Sequence, residues 1–175
     1  MGGLIINIAY RFSRKSDLRI ILTLLEKCFG DRSDCNIDPS NGGFLLAFDG
    51  RRLVAMTGLS NVSADSNQCD IDWTCCDPEY RGNGIISHML DELLKDEKRD
   101  IYCSCLVEPT KEIPNLHGIL SKRGFHCVEK GHIVFCASDK MHFPFLVDPC
   151  KICNFRTGDN CTCREDLYFR KGTNT

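Results

Sequence analysis

Apolar and polar positions along the chain fall into short runs with two periods, and those periods lay out most of the elements. Leu4 to Phe12 reads as a first strand. Beyond Ser16, a residue suited to N-capping, Leu18, Ile20, Ile21, Leu24, Leu25 and Cys28 share one broad helical face, and Gly30 ends the helix. Residues 31 to 43 are polar and punctuated by Pro39, Asn41 and two glycines, which predicts a loop with at most a short helix. Phe44 to Phe48 and Arg52 to Ser60 read as a hairpin across the Asp49-Gly50 turn pair.

Gln68 to Cys76 is a fourth strand, stopped by Asp77-Pro78. From Gly84 to Lys95, Ile85, Ile86, Met89, Leu90, Leu93 and Leu94 recur at helical spacing. Asp100 to Val107 is a fifth strand, and Pro114 to Arg123 a short helix with Leu116, Ile119 and Leu120 inward. Gly124 suits a left-handed residue after that helix, with Phe125 packing back. Two strands are expected at Phe125 to Val128 and at His132 to Ala137, and a strand-like Leu167-Tyr168-Phe169 closes the chain. The order predicts an α+β fold around a mostly antiparallel central sheet flanked by helices.

Composition narrows the function classes. The length of 175 residues suits one domain with a small appendage, and 42% apolar residues are enough for a core. No apolar run approaches a membrane span, and the amino terminus reads as carrying no export signal. A net charge of −2 gives no general attraction to nucleic acid or to an anionic membrane, and it tolerates cationic substrates. Thirteen cysteines, an odd number without an export signal, point to a reducing compartment and a cytoplasmic protein. Those in strand-like runs act as small buried hydrophobes.

The richest stretch is Trp73-Thr74-Cys75-Cys76-Asp77-Pro78-Glu79-Tyr80-Arg81-Gly82-Asn83-Gly84-Ile85-Ile86, a strand, a proline turn, a glycine loop and a helix start. Gly82 and Gly84 allow close approach of a ligand to the backbone, and the first amides of the helix have no partner within it. With the helix dipole and the charge of Arg81 they form an anion cradle. A P-loop is excluded because no Gly-Lys-Ser/Thr follows, and a dinucleotide fingerprint because its third glycine is missing.

Arg81-Gly82-Asn83-Gly84-Ile85-Ile86, after Pro78-Glu79-Tyr80, resembles the acyl-CoA loop of the GNAT acetyltransferase superfamily. Ile119-Leu120-Ser121-Lys122-Arg123-Gly124-Phe125 is similar to that family's helix running into Gly-Phe. The resemblance spans roughly Leu4 to Ala137. It implies that the fourth and fifth strands splay apart and that pantetheine of acetyl-CoA lies along Thr74, Cys75 and Cys76. It further implies that Arg81, Gly82, Asn83, Gly84, Ile85 and Ile86 hold the pyrophosphate, with an amide near Cys76 polarising the thioester carbonyl.

The sequence departs from the family at Ile86, where Gly or Ala is usual. It departs again at Leu120, where a tyrosine often protonates the coenzyme A thiolate; water, Ser121, Ser104 or Tyr102 would then serve. Strand alternation places Asp70, Asp72, Thr74 and Cys76 on one face, and Asp70 and Asp72 are the candidate general bases for the attacking amine. An acidic loop with Asp31, Asp34 and Asp38 is a candidate contact for a cationic acceptor, or a plain solvated loop. His88 reads as a surface residue, and His117 as core or surface before catalysis.

The tail carries Cys150-x2-Cys153 and, seven residues on, Cys161-x-Cys163. Four closely spaced thiolates suit one tetrahedral structural zinc ion, with an iron–sulfur centre, disulfides or free thiols as alternatives. These features divide the chain into an acetyltransferase-like domain, residues 1–140, and a zinc-knuckle-like extension, residues 141–175, that delivers Asp166 to Arg170 as a terminal strand. The expected activity is transfer of acetyl from acetyl-CoA to an unidentified amine by direct attack in a ternary complex, in a monomer or homodimer. Acidic residues around the knuckle argue against nucleic acid as a partner. A second reading is a non-catalytic module of the same fold whose knuckle makes protein or nucleic-acid contacts.

Overall fold

The computed structural model describes residues 7–29, 37–41, 43–61, 67–107, 114–132 and 164–172. Seven strands form one sheet: β1 Ile8–Phe12, β2 Phe44–Asp49, β3 Arg52–Asn61, β4 Gln68–Cys76, β5 Asp100–Val107, β6 His126–His132 and β7 Arg164–Arg170. Three α-helices accompany them: α1 Leu18–Phe29, α2 Ile85–Leu94 and α3 His117–Ser121. The sheet order is β1-β2-β3-β4-β5-β7-β6, and β4–β5 is its parallel pair. The expected α+β class with a mostly antiparallel sheet is what forms.

Each face of the sheet is covered by a helix whose apolar stripe the sequence displays. On one face Ile21, Leu24 and Leu25 of α1 pack on Leu46, Phe48, Leu53, Met56 and Cys75. On the other, Ile85 and Met89 of α2 pack on Leu45, Ala47, Val54, Ala55 and Cys76. Leu90 and Leu94 of α2 continue that layer with Cys69, Ile71, Ile101, Cys103, Leu120 and Phe125. Removing each such side chain from water contributes on the order of 1.5–3 kcal/mol, so both helices dock through packing rather than propensity.

Several local expectations shift when the chain folds. Ser16 is not the cap of α1, because a single 3-10 turn, Lys15–Asp17, precedes the helix. Asp17 governs that turn by accepting from the Arg14 amide at 2.8 Å and from the Arg11 guanidinium at 2.6 and 2.8 Å. The hairpin loop is Gly50-Arg51, since Asp49 pairs with Arg52 and Gly50 takes φ +57°. The helix expected over Pro114 to Arg123 is only His117–Ser121, flanked by turns. Gly124 does adopt φ +81°, and the Phe125 amide bonds the Leu120 carbonyl at 3.2 Å, which closes the helix as a Schellman motif.

Instead of ending at Val128, β6 runs on to His132, its Glu-Lys-Gly stretch absorbed by irregular pairing with β7. Residues 133–137, the rest of the second strand expected there, lie outside the described residues.

Candidate active site

The site begins where β4 leaves β5. The two strands pair only through Gln68↔Asp100, Cys69↔Ile101 and Asp70↔Tyr102, although β4 continues to Cys76 and β5 to Val107. Two features accompany the parting. Strand β5 is locked along its other edge to β7 by seven consecutive pairs, from Ile101↔Arg170 to Val107↔Arg164. Meanwhile β4 bulges: Met56 pairs with Cys75 and Gly58 with Asp72, so two steps on β3 face three on β4. The bulge centres on Trp73, the one non-glycine residue with positive φ among those described, at +48°. Such a backbone costs a bulky residue about 1–2 kcal/mol. Among the described residues, β4 makes no ladder pairing with β5 from Ile71 onward, so that edge keeps peptide groups outside the sheet.

The bulge also corrects the expected alternation. Asp70 and Asp72 oppose the buried Cys69 and Ile71, which pack toward α2. One residue later the pattern inverts: Trp73 and Cys75 pack on the α1 face, while Cys76 packs beneath α2. Thr74 turns the same way as Cys76, its hydroxyl 2.7 Å from that of Thr57. Asp70 and Asp72 therefore share a face with Trp73 and Cys75, not with Thr74 and Cys76. Both aspartates are half-buried. Burial, and then the nearby Asp72 carboxylate, hold the Asp70 pKa above the ordinary carboxylate value.

At the end of β4 the chain enters a braced turn. The Asp77 carboxylate is 2% exposed and accepts from Lys27 Nζ at 2.8 Å and Arg52 Nη2 at 2.6 Å. It also accepts from the Glu79 amide at 3.1 Å, capping the turn Pro78–Tyr80. Burial pushes its pKa up, but bonds from Lys27, the Glu79 amide and Arg52 outweigh that and hold it low. Tyr80 Oη donates to Asp49 Oδ2 at 2.7 Å, tying the turn to the β2–β3 hairpin.

The glycine loop follows. Gly82 and Gly84 take φ +80° and +75°, and a Cβ at either would meet no protein atom within 4 Å. Asn83 fastens the loop by donating to the Tyr80 and Arg81 carbonyls at 3.0 and 3.3 Å. Arg81 Nε donates to the Cys76 carbonyl at 3.2 Å while the residue remains exposed, leaving its terminal nitrogens accessible. The first closed bond of α2 runs from the His88 amide to the Gly84 carbonyl. The amides of Gly84 to Ser87 therefore have no partner inside the helix, as at any helix start.

This arrangement coincides with a known family. The model of the acetyltransferase (GNAT) family matches residues 10–117. The chain belongs to the acetyltransferase (GNAT) family. Solved structures of the same fold include a putative GNAT acetyltransferase from Desulfovibrio desulfuricans, 11% identical, with a TM-score of 0.61 over 94% of this chain and 99% of that one. The ribosomal-protein-S18-alanine N-acetyltransferase of Escherichia coli is 10% identical, with a TM-score of 0.58 over 93% and 91%. N-acetylglutamate synthase from Neisseria gonorrhoeae, solved with coenzyme A and N-acetyl-glutamate, is 14% identical, with a TM-score of 0.59 over 96% of this chain but 36% of its own. The chain thus spans about a third of some structural relatives and nearly all of others. No protein of curated function matches in sequence.

For a GNAT chain the two departures have physical explanations. The half-buried Ile86 side chain joins the apolar layer beneath α2, packing against both clusters there. Leu120 is wholly buried among Leu90, Cys103, Phe125 and Tyr168, so that position is hydrocarbon core. His117 Nδ1 lies 2.6 Å from Tyr168 Oη, a bond joining α3 to β7 that sequence spacing gave no means of finding. His88 is exposed, its ring centroid 4.4 Å from that of Tyr10.

Cys69, Cys75, Cys76, Cys103 and Cys105 are buried in β4 and β5 and behave as hydrophobes, as that setting suggested. Burial raises the Cys69 and Cys76 thiols to about 11. Cys103 and Cys105 are buried with sulfurs 3.6 Å apart. Of the acidic loop, Asp38 is described: it is exposed and bonds Ser40, whereas Asp31 and Asp34 lie outside the described residues. The tail cysteines Cys150, Cys153, Cys161 and Cys163 lie outside them too. Among the described residues no metal-ligating group of three or more side chains occurs, and no helix is long and apolar enough to cross a membrane.

Proposed function

We propose that this chain is an N-acetyltransferase that passes acetyl from acetyl-CoA to an amine by direct attack. The observation that carries the reading is the gap between β4 and β5 opening beside the glycine loop at the start of α2. An extended pantetheine arm can pair with strand-edge peptide groups along Thr74, Cys75 and Cys76. The attached pyrophosphate needs donors and positive charge, which the amides of Gly82, Asn83, Gly84, Ile85 and Ile86 and the guanidinium of Arg81 supply. No side chain obstructs that approach at either glycine.

The chemistry then divides among few groups. Near Cys76 a backbone amide stabilises the oxyanion as the amine nitrogen attacks the thioester carbon. Asp70, half-buried and of raised pKa, takes the proton from the amine directly or through water, with Asp72 next along the same face. The C–S bond breaks, and the thiolate takes a proton from water entering between the strands, because Leu120 has none to give. A purely non-catalytic module is the less favoured reading, since it leaves the strained bulge and the open strand edge without a role.

We also retain a structural zinc ion on Cys150, Cys153, Cys161 and Cys163. Its support is the chemistry of four thiolates placed just before β7, which starts at Arg164 and wedges between β5 and β6. Calorimetry with acetyl-CoA, followed by coenzyme A release with a panel of amines, tests the function. Asp70→Asn is expected to keep the binding heat and lose about 100-fold or more in turnover. Full turnover in both Asp70→Asn and Asp72→Asn would remove the base assignment.

A further inference from the structure

The acceptor face carries a feature that the transfer chemistry alone does not require. On the face of α1, cross-strand register sets Ser60, Asp70, Tyr102, Phe169 and His126 in one lateral row: Ser60↔Asp70, Asp70↔Tyr102, Tyr102↔Phe169 and Phe169↔His126. The rings touch in sequence. Tyr102 and Phe169 have centroids 5.0 Å apart at 43°, and Phe169 and His126 lie 5.7 Å apart, edge to face at 89°. Tyr102 and Phe169 are half-buried rather than enclosed, and His126 is exposed. Among the described elements, α1 packs only on the β2–β4 part of this face, so no described helix lies over the row beyond Asp70.

We propose that this row is the acceptor subsite and that it selects a linear aliphatic amine bearing a second, fixed positive charge. Resting on the acetyltransferase reading above, the proposal assigns the substrate class. The reacting nitrogen lies at Asp70 and Asp72, where the strands diverge, and the remote cation rests over the Tyr102–Phe169 ring pair. Strand spacing puts those rings about 5 and 10 Å from the Asp70 strand, an interval that a four-carbon spacer begins to fill. Ring faces attract a cation through their quadrupoles, and two carboxylates at the head of the row add charge of the right sign. An apolar partner on the same surface would strip water from Asp70 and Asp72 without replacing it, which is costly. The described row holds no lysine or arginine to repel a cation.

The test uses two acceptors of one shape: a four-carbon primary amine ending in trimethylammonium, and its tert-butyl isostere in which carbon replaces the quaternary nitrogen. With the full-length protein and saturating acetyl-CoA, the charged acceptor is expected to show a KM about three- to thirtyfold lower. Tyr102→Leu and Phe169→Leu should each shrink that ratio toward one, whereas Tyr102→Phe, which keeps the ring, should preserve it. A wild-type ratio near one overturns the proposal even if the leucine variants fail to fold. So does a ratio that survives both leucine substitutions. If acetyl-CoA gives no binding heat, the acetyltransferase reading itself falls, a result distinct from acetyl-CoA binding without charge selection.

Discussion

Gly84→Ala provides a sharp test of the cradle because the structure supplies its own control. Gly84 takes φ +75°, and Gly50, in the β2–β3 turn, takes φ +57°; a Cβ at either meets no protein atom within 4 Å. Placing alanine at each site therefore costs the fold the same thing, about 1–2 kcal/mol of left-handed backbone strain without a clash. For a chain of this size that lowers Tm by about 2–8 °C in both variants. Affinity for acetyl-CoA should separate them. In the proposed binding mode, the new methyl at Gly84 occupies the space through which phosphate oxygens would reach the helix amides. Losing one such charge-assisted bond costs about 1.5–3 kcal/mol, or about ten- to hundredfold in Kd.

Gly50→Ala, remote from the loop, should bind as wild type. Gly84→Asn separates strain from obstruction, since asparagine tolerates the left-handed region better yet still fills the space. It is expected to lower Tm less than alanine and to bind no better. Calorimetric titration of the three variants decides the matter. A Gly84→Ala protein within twofold of Gly50→Ala would refute the cradle.

Other consequences are open to measurement. In the proposed base role Asp70 must be ionised, and its pKa is raised by burial and by Asp72, so kcat/KM should rise with pH through a limb above the ordinary carboxylate range. Asp72→Asn, which removes the like charge, should move that limb to lower pH; an unmoved limb in a pH–rate profile would sink the coupling. Asp77 has a lowered folded pKa, so the stability it contributes is present above the unfolded value and is lost as pH falls through the folded one. Asp77→Asn should cost about 1.5–3 kcal/mol in urea unfolding near neutrality, discounted for its half-exposed partners, and the gap from wild type should close in acid. Finally, the purified protein should carry about one zinc per chain by elemental analysis, consistent with a single four-thiolate site. Substantially less, without iron, would remove the knuckle.

The proposed site was partly legible before folding because some of its parts are local. Gly82 and Gly84 needed left-handed backbone, and the apolar spacing from Ile85 to Leu94 placed a helix start behind them. Gly124 closing α3 and the turn at Gly50 are equally short-range. The same locality explains the misreadings. Ser16 looked like a cap because nothing nearby revealed the bidentate grip of Arg11 on Asp17. Leu120 looked like a missing acid, yet its burial beside Tyr168 makes it packing against a strand 48 positions away.

Sequence by itself determined the order of the described elements, the apolar faces of α1 and α2 and the glycine turn into α2, since these follow from side-chain period and from backbone preferences within a few residues. Tertiary structure alone decided where the open edge falls and which groups line it. The bulge at Trp73 inverts which residues of β4 face α1, and β4 parts from β5 after Asp70 while β5 keeps pairing with β7 along its far edge. The row from Asp70 through Tyr102 to Phe169 likewise exists only through register between strands distant in the chain. Register is a non-local quantity, set by whole-sheet hydrogen bonding and packing. No window of sequence contains it.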